Sequence, residues 1–511
     1  MNTAIYGSDA GQVTGTTGGG LSGAICKQAR LARDARFDGL FFTGVLTTGI
    51  YCRPICPATP PREKNVAYYS TAFAAAQAGL RPCLRCRPES APGSPAWKGV
   101  KTSLERALRL IDAGEWQGQT LSDFAERLGI SDRYLRQLFM RHLGLSPIKY
   151  LNFKRIQFAQ QLLQQTSLPI TAVAFHAGFG SVRRFNDAFA GTLGVNPSQV
   201  RRRASSNAGA NAALTMNLAY RPPYDWPAMR DFYRVRQLDD LEHVSDNSYS
   251  RTIRFKNARG VFTALHDAQA HCFRVSLWLD KPEHTLPVVQ QIRRLLDLDA
   301  DAAVIAEQLG RQSGLRDLFD RGLGAGLRLP GVWSAFEGGV RAVLGQQVSV
   351  KAAHTLVTRL VRELGEDLHI SPEGSRLPAK LFPTPEAVAN SELEFLAMPG
   401  RRKQALRDLA EQVAADSDTA AGTGSGINYD HWQSITGIGP WTTQYTAFRM
   451  GHPDVFLTGD LGVKNALKKL QPLACGPALD AQALSPWGSY ATLLLWQSLS
   501  ETSPQPSTSA E

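Results

Sequence analysis

The chain has 511 residues, 43% of them hydrophobic, which is long enough for three or four domains with sizeable cores. The formal net charge of +11 arises in its first part: residues 26–203 carry 26 Lys and Arg against 11 Asp and Glu, whereas residues 204–511 carry 30 against 33. This excess predicts a polyanionic partner for the first part, although solubility alone would also account for it.

Cysteine usage and hydropathy exclude two further classes of protein. The seven cysteines are odd in number and four of them are clustered, which argues against a secreted disulfide scaffold. The N-terminus has no signal-peptide apolar core and no run of about 18 apolar residues occurs, so we expect neither a secretory signal nor a membrane span, and a cytoplasmic location. Residues 1–20 are rich in Gly, Thr and Ser and are predicted to be disordered.

Two close cysteine pairs follow, the first with three intervening residues and the second with two. Four thiolates from two such pairs are typical of a tetrahedral zinc site, and zinc keeps thiolates deprotonated, which is their nucleophilic form. The predicted zinc ligands are Cys52, Cys56, Cys83 and Cys86.

Basic residues surround these cysteines: Arg53, Arg62, Lys64, Arg81, Arg85 and Arg87. We expect them to offset the negative charge of four thiolates around one divalent ion and to leave a surface for phosphate.

Residues 25–97 resemble the N-terminal domain of the Ada adaptive-response family. The resemblance implies that the first cysteine, Cys52, irreversibly accepts a methyl group from a DNA methylphosphotriester while the other three remain ligands. Methylation would convert a thiolate into a thioether, remove one negative charge beside DNA and so raise the affinity for DNA. A purely structural zinc site is the alternative.

An internal repeat with an offset of 50 residues occupies the next segment. Its first copy contains Ser131, Phe139, Leu143, Gly144 and Pro147, which recur as Ser181, Phe189, Leu193, Gly194 and Pro197. Each copy predicts a helix, a short turn and a second helix: Leu121–Leu128 with Asp132–Leu143, and Ile170–Ala177 with Val182–Leu193. Ser131 and Ser181 are the predicted N-caps of the second helices.

Basic residues stand early on both second helices, at Arg133, Arg136, Arg183 and Arg184. In that position they could face base edges in the major groove of DNA. The segment resembles the AraC-type DNA-binding domain, which has two such units joined by a helix. An all-helical packing domain is the alternative.

A mixed α/β segment is predicted from residue 214. Thr215–Leu218 indicates a strand, and the apolar alternation of Phe273, Val275, Leu277 and Leu279 indicates another. The stretch Tyr220–Trp226 resembles the start of AlkA-type enzymes. That resemblance implies that Phe232, on the following helix, lines a base pocket, although a phenylalanine is more often a core residue.

Helices are predicted from Pro330 onward. Ala335–Leu356 resembles the AlkA family at the place where the family inserts an apolar wedge into DNA after flipping out a nucleotide. The matching residue is Gln347 rather than the expected leucine; it would be a poorer plug but could hydrogen-bond the orphaned base. A surface glutamine at a helix end is the alternative.

The stretch Ile435–Asp460 combines a tight turn with a single acid. Gly437, Ile438 and Gly439 predict a hairpin that opens a helix through Trp441, Tyr445 and Phe448. The free N–H groups of such a helix start can bind phosphate. Asp460 follows an apolar run, and a helix cap is its alternative role.

This stretch resembles the helix-hairpin-helix, Gly/Pro-rich, Asp-containing DNA glycosylases, most closely the AlkA type. The resemblance implies that Trp441, Tyr445 and Trp496 line the pocket and attract a cationic alkylpurine by stacking and cation–π contact. Asp460 would stabilise the oxocarbenium sugar or orient water.

Three further expectations follow from comparing these residues with the family's pattern. Family members that also cut the strand have lysine at the position of Trp441, so we expect a glycosylase without lyase activity. Gly459 replaces an acid that the family often has. The carbonyl groups of Gln433, Ile435 and Gly437 are expected to hold a monovalent cation.

The predicted fold class is multidomain α+β: a small zinc-bound α/β domain, an all-α double helix-turn-helix domain, a mixed α/β domain and an all-α helix-hairpin-helix domain. The expected bounds are 21–97, 98–204, 214–329 and 330–498, with a linker at 205–213 and a disordered tail at 499–511.

The expected function is excision of alkylated bases such as 3-methyladenine from DNA, together with methyl transfer from phosphotriesters coupled to transcriptional activation. Double-stranded DNA is the expected partner, with RNA polymerase as a further one. The alternative is a transcription regulator whose C-terminal half is a non-catalytic DNA clamp.

Overall fold

The computed structural model describes residues 22–34, 37–38, 41–69, 72–83, 86, 88, 103–112, 114, 116, 119–203, 214–368, 379–415, 429–470, 479 and 484–500. The chain divides into two compact units, Met1–Ala210 and Asn211–Glu511. The disorder predicted for residues 1–20, the linker at 205–213 and the tail from residue 501 fall outside the described residues, as do Arg85 and Arg87. Residues 499 and 500, which were expected in the disordered tail, instead end a helix that begins at Gly488.

The first unit begins with a small α/β domain. Its four strands are β1 (Phe42–Val45), β2 (Ile50–Cys52), β3 (Val66–Tyr69) and β4 (Arg81–Pro82), with helices α1 (Gly23–Leu31) and α2 (Ala72–Gln77). The strand order is β3-β1-β2-β4, in which β1 is antiparallel to both neighbours and β2 is parallel to β4. Pairing of β2 with β4 brings the two cysteine pairs to the same end of the sheet.

Seven further helices are found in the described residues of the first unit: α3 (Ser103–Asp112), α4 (Leu121–Arg127), α5 (Asp132–Leu143), α6 (Pro147–Gln165), α7 (Ile170–His176), α8 (Val182–Leu193) and α9 (Pro197–Arg203). Ser131 and Ser181 cap α5 and α8 by accepting hydrogen bonds from the amides of Tyr134 and Arg184, as predicted. Gly144 and Gly194 end the same helices in the left-handed conformation, which glycine adopts without strain.

The long connecting helix α6 also belongs to the core of the zinc-binding domain. Phe153 is buried in a cluster that includes Tyr51 and Tyr69, and Gln157 Nε2 donates to the Tyr51 hydroxyl over 3.4 Å. The α/β domain therefore packs directly on the double helix-turn-helix.

The second unit begins with an antiparallel sheet of five strands: β5 (Leu214–Ala219), β6 (Glu242–Val244), β7 (Ser248–Phe255), β8 (Ala258–Asp267) and β9 (Cys272–Leu279). The order is β5-β9-β8-β7-β6. The predicted alternation in β9 is observed, since Phe273, Val275 and Leu277 are buried while Arg274 is exposed.

Twelve helices accompany this sheet in the described residues. They are α10 (Trp226–Arg234), α11 (Thr285–Leu295), α12 (Ala302–Gly310), α13 (Ser313–Asp320), α14 (Ala335–Leu344), α15 (Val350–Leu364), α16 (Pro385–Ala389), α17 (Gly400–Ala415), α18 (Tyr429–Gln433), α19 (Pro440–Arg449), α20 (Leu461–Leu470) and α21 (Gly488–Ser500). They bury two apolar cores, one around α14, α15 and α17 and one around α20 and α21.

A buried quartet of charged residues (Glu242, Arg251, Glu337 and Arg341) ties the sheet to α14. Arg251 donates to Glu242 over 3.1 Å and to Glu337 over 2.8 Å, and Arg341 donates to the same two acids over 3.0 and 2.9 Å. Two guanidinium groups and two carboxylates balance in charge, which is how buried ions are tolerated.

None of the helices in the described part of the chain has the length and apolar character needed to cross a bilayer.

Candidate active site and metal centre

The glycine hairpin lies between α18 and α19, as predicted. Gly437 has φ +97°, in the left-handed region that favours glycine, and a Cβ there would lie 3.2 Å from the Cβ of Ala405. Ile438 is buried and anchors the turn in the core, whereas Gly437 and Gly439 are exposed. Gly439 has no side chain to cap α19, and the amides of Thr442 and Thr443 in the first turn donate back to the Gly439 carbonyl over 3.0 and 3.4 Å.

Asp460 stands at the start of α20 and is held by three N–H donors. Trp441 Nε1 donates to Oδ2 over 3.2 Å, Trp496 Nε1 donates to Oδ1 over 3.0 Å, and the amide of Val463 donates to Oδ1 over 3.1 Å. The carboxylate therefore acts as a helix cap and is also fixed by two indole groups. Gly462 permits this approach, since a Cβ there would lie 3.0 Å from Asp460 Oδ1.

A cavity of about 1520 Å³ opens beside this carboxylate. The predicted site residues that line it are Phe232, Gln347, Gly437, Gly439, Trp441, Tyr445, Asp460 and Trp496. Trp441 stacks on Tyr445 with ring centroids 5.2 Å apart and an angle of 17° between planes. The structure thus brings Asp460 and four aromatic rings, from α10, α19 and α21, to one cavity.

Four arginines that line this cavity were not predicted from the sequence: Arg236, Arg328, Arg341 and Arg449. The Arg236 guanidinium lies 3.8 Å from the centre of the Phe232 ring, and that of Arg449 lies 5.0 Å from it. Arg449 Nη1 also donates to the Tyr445 hydroxyl over 3.0 Å. The cationic contacts of Phe232 are therefore made by the protein itself.

These charges change the acidity of the tyrosine. Burial on its own would raise the pKa of Tyr445, but the positive charges of Arg449 and Arg236 outweigh it and lower that pKa below its ordinary value. The Tyr445 end of the cavity is consequently electropositive, whereas the Asp460 end carries the carboxylate.

The segment between α14 and α15 borders the same cavity. Gln347 is exposed and has φ +56°, an unusual value for a side chain other than glycine, and Val348 beside it is also exposed. Gln346 Nε2 donates to the carbonyl of Gly437 over 2.9 Å and to Thr442 Oγ1 over 3.0 Å. Gln346, which the sequence analysis did not single out, thereby links the predicted wedge to the hairpin.

The carbonyl groups expected to bind a monovalent cation already have partners in two cases. That of Gly437 accepts from Gln346, and that of Ile435 accepts from the Ile438 amide over 3.0 Å. A carbonyl oxygen has a second lone pair, so these bonds leave room for a further ligand.

The four predicted zinc ligands form one cluster at the end of β2 and β4. The Sγ atoms of Cys52, Cys56, Cys83 and Cys86 all lie within 4.8 Å of one another. Tetrahedral zinc with Zn–S bonds of about 2.3 Å separates its sulfur atoms by about 3.8 Å, so the donor set fits this metal. Cys83 and Cys86 are buried, whereas Cys52 and Cys56 remain partly exposed.

Arg53 differs from the expected surface cation. Its side chain is buried and forms an ion pair with Asp38, with Nε donating to Oδ1 over 2.6 Å. Arg53 also donates its amide to Cys86 Sγ over 3.3 Å, so it supports the cluster from inside. Arg62, Lys64 and Arg81 are exposed, as a phosphate-binding surface would require.

The four arginines predicted to contact DNA from α5 and α8 are all exposed. Arg133 and Arg136 lie on the first turn of α5, and Arg183 and Arg184 on that of α8. Arg136 forms an ion pair of 3.0 Å with Asp132, and such exposed pairs are weak enough to exchange for a phosphate or a base.

Comparison with known proteins gives a consistent family assignment. Four protein-family profiles match in order: the metal binding domain of Ada at residues 25–89, a helix-turn-helix domain at 124–203, the AlkA N-terminal domain at 215–334 and the HhH-GPD superfamily base excision DNA repair protein at 340–478.

Relatives cover the chain both in parts and as a whole. The DNA-3-methyladenine glycosylase 2 of Escherichia coli is 35% identical over 292 residues, 55% of this chain and 95% of that protein. The bifunctional transcriptional activator/DNA repair enzyme Ada of the same organism is 32% identical over 192 residues, 38% of this chain and 51% of that protein. A probable bifunctional transcriptional activator/DNA repair enzyme AlkA of Mycobacterium tuberculosis is 37% identical over 485 residues, 93% of this chain and 96% of that protein. Because this last similarity spans nearly the whole of both chains, the chain belongs to the family of AlkA-type bifunctional transcriptional activator/DNA repair enzymes.

Proposed function

We propose that the second unit excises alkylated bases, such as 3-methyladenine, from double-stranded DNA. The observation that carries this proposal is the position of Asp460, whose carboxylate is fixed by two indole N–H groups beside a cavity large enough for a base. A flipped nucleotide places its base in a pocket and its sugar near the mouth. Asp460 then faces the bond to be broken.

The chemistry asked of this acid is modest. An alkylated base is already a good leaving group, so the glycosidic bond breaks with its electron pair remaining on the base and positive charge developing on the sugar. Asp460 stabilises that charge or orients the water that adds to the sugar. Phe232, Trp441, Tyr445 and Trp496 enclose the departing base.

The reaction stops at base release. A strand-cutting glycosylase needs an amine to form a Schiff base with the sugar. Trp441 stands where such family members have lysine, and its indole N–H is directed at Asp460. We therefore assign a monofunctional glycosylase with no lyase step.

The hairpin and the turn between α14 and α15 bind the DNA. The exposed start of α19, with Gly437 and Gly439, binds a phosphate. The carbonyl groups of Gln433, Ile435 and Gly437 would hold a monovalent cation, which would supply positive charge for that phosphate. Gln347 occupies the space left by the flipped nucleotide.

The first unit transfers a methyl group from a DNA methylphosphotriester to Cys52. The bond from phosphate oxygen to the methyl carbon breaks, a sulfur–carbon bond forms, and the phosphodiester keeps the electron pair as an anion. Bound zinc supplies the positive charge that keeps the four thiols of the cluster as thiolates. Cys52 is partly exposed, which supports its choice over the buried Cys83 and Cys86.

Methylation then strengthens promoter binding. The thioether carries no charge, so repulsion from DNA falls while Arg133, Arg136, Arg183 and Arg184 read the site. We assign these roles to domains at 21–97, 98–204, 214–329 and 330–498, with RNA polymerase recruited for activation.

A base-release assay tests the repair activity. The full-length protein is incubated with a methylated duplex, the free bases are quantified by chromatography, and strand integrity is followed with and without alkali. The expected result is free alkylpurine and strand breaks only after alkali. Breaks without alkali would refute the monofunctional assignment, and the absence of any free base would favour a non-catalytic clamp.

Intact-protein mass spectrometry tests the methyl transfer. After exposure to methylphosphotriester DNA, the protein should gain one methyl group located on Cys52. Serine in place of Cys52 should abolish the gain, whereas serine in place of Cys272, which lies outside the cluster, should not. No adduct on the wild type would mean that the zinc site is only structural.

A further inference from the structure

The cavity holds two cations that base excision as proposed does not use. Arg236 and Arg449 both lie within 5.0 Å of the centre of the Phe232 ring, and Arg449 lies 5.8 Å from that of Tyr445. These distances are those of cation–π contacts. The aromatic surfaces expected to attract a cationic base are thus partly engaged by guanidinium groups.

Neither cation is neutralised by an acid among the described residues. Arg236 Nη1 donates to the Phe232 carbonyl, and Arg449 donates to the carbonyls of Pro330 and Gly331 over 2.7 and 2.9 Å. Arg341, another arginine of the cavity, is instead matched by the carboxylates of the buried quartet. The Phe232–Tyr445 wall consequently carries about two uncompensated positive charges.

The same wall is rich in hydrogen-bond donors. The Tyr445 hydroxyl accepts from Arg449, so its own hydrogen can be directed to a ligand. Arg236 has five N–H groups, of which one donates to the Phe232 carbonyl, and its guanidinium also interacts with the Tyr445 hydroxyl, which leaves further donors for a ligand. A wall that donates hydrogen bonds and carries positive charge is complementary to a carbonyl oxygen and poorly suited to an amino group.

We propose that Arg236, together with Tyr445, reads a carbonyl oxygen on the flipped base, so that among releasable bases the enzyme favours those with an oxo edge. This specificity rests on the proposed base excision. Hypoxanthine and 7-methylguanine carry such an oxygen, whereas 3-methyladenine carries an amino group there. Arg236 is thereby a specificity-determining residue, while Asp460 serves every substrate.

Three damaged bases distinguish recognition of a carbonyl oxygen from recognition of the positive charge of the base. Methylated duplex DNA releases 7-methylguanine and 3-methyladenine in the same tube, both from cationic nucleotides, and a second duplex contains the neutral base hypoxanthine. The full-length wild type is compared with Arg236→Leu. The matched control is Arg234→Leu, because Arg234, two residues earlier at the end of α10, forms ion pairs with Asp231 and Asp246 instead.

The expected result is a loss of roughly tenfold or more in kcat/KM for 7-methylguanine and hypoxanthine, the size of one hydrogen bond to a charged group. Release of 3-methyladenine should stay unchanged or rise, because a like charge has been removed. Tyr445→Phe should also lower the release of 7-methylguanine relative to that of 3-methyladenine, and Arg234→Leu should leave this ratio unchanged.

An equal fall for all three bases in Arg236→Leu would overturn the proposal, since it would indicate a structural role. The proposal would also be overturned if Arg236→Leu and Tyr445→Phe both left the ratio of 7-methylguanine release to 3-methyladenine release unchanged. If the wild type releases no base at all, base excision itself fails, and that outcome is distinct from a wild type that is active but indifferent to Arg236.

Discussion

Replacing Glu337 with leucine breaks the buried quartet, and the structure gives the size of the effect. Glu337 is fully buried and accepts hydrogen bonds from Arg251 Nη2 over 2.8 Å and from Arg341 Nε over 2.9 Å. The variant leaves two guanidinium groups sharing Glu242. Removing one partner of a buried ion pair costs about 3–5 kcal/mol, and we expect that loss in the free energy of unfolding of the second unit.

Urea unfolding of the full-length protein, followed by tryptophan fluorescence, measures this loss, because most of the nine tryptophans belong to the second unit. The matched control is Glu366→Leu. Glu366 also joins two arginines, Arg254 and Arg259, but its side chain is 43% exposed, so its loss should cost less than about 1 kcal/mol. If Glu337→Leu proves as mild as the control, the quartet does not hold the sheet to α14.

Two further variants test other parts of the fold. Phe153→Ala should lower the free energy of unfolding of the zinc-binding domain by about 3–5 kcal/mol, because it leaves a cavity in a buried core. The variant should therefore lose zinc to a chelator faster than wild type does. Unchanged zinc retention would contradict the packing of this domain on α6. Burial raises the pKa of Asp297 to about 6 from 3.8, so the folded protein binds that proton more tightly than the unfolded chain. This contribution to stability is full below pH 3.8 and is lost as the pH rises through 6. Asp297→Asn should therefore raise the melting temperature relative to wild type at pH 7.5 but not at pH 4, and a difference independent of pH would refute the assignment.

Local signals account for what the sequence predicted well. Helices α5 and α8 of the first unit carry serine caps at their starts and glycines at their ends, and those features act within a few residues of chain. The hairpin around Gly437 likewise depends on local backbone angles. The aromatic residues of the cavity were identified through the family resemblance, and the structure brings them together with Asp460.

Long-range pairing accounts for what the sequence did not predict. Arg53 has the surroundings of a surface cation in the sequence, yet Asp38, fifteen residues earlier, buries it. Arg236 and Arg449 have no distinguishing pattern, because their place beside Phe232 depends on how α10 and α19 pack. Phe153 resembles any helix core residue, but it packs against strands about a hundred residues away.

We propose that the Asp460 carboxylate is required for base excision, and a comparison of asparagine variants tests this role. Single-turnover release of alkylpurines from a methylated duplex is measured for wild type, Asp460→Asn and Asp454→Asn. Asp454 is the matched control, since it also accepts an amide hydrogen bond at a helix start, from Gly488, but does not line the cavity. We predict that Asp460→Asn loses at least about a hundredfold in rate, as removal of one transition-state stabilising group does, while Asp454→Asn stays near wild type. Equal rates for wild type and Asp460→Asn would contradict the account.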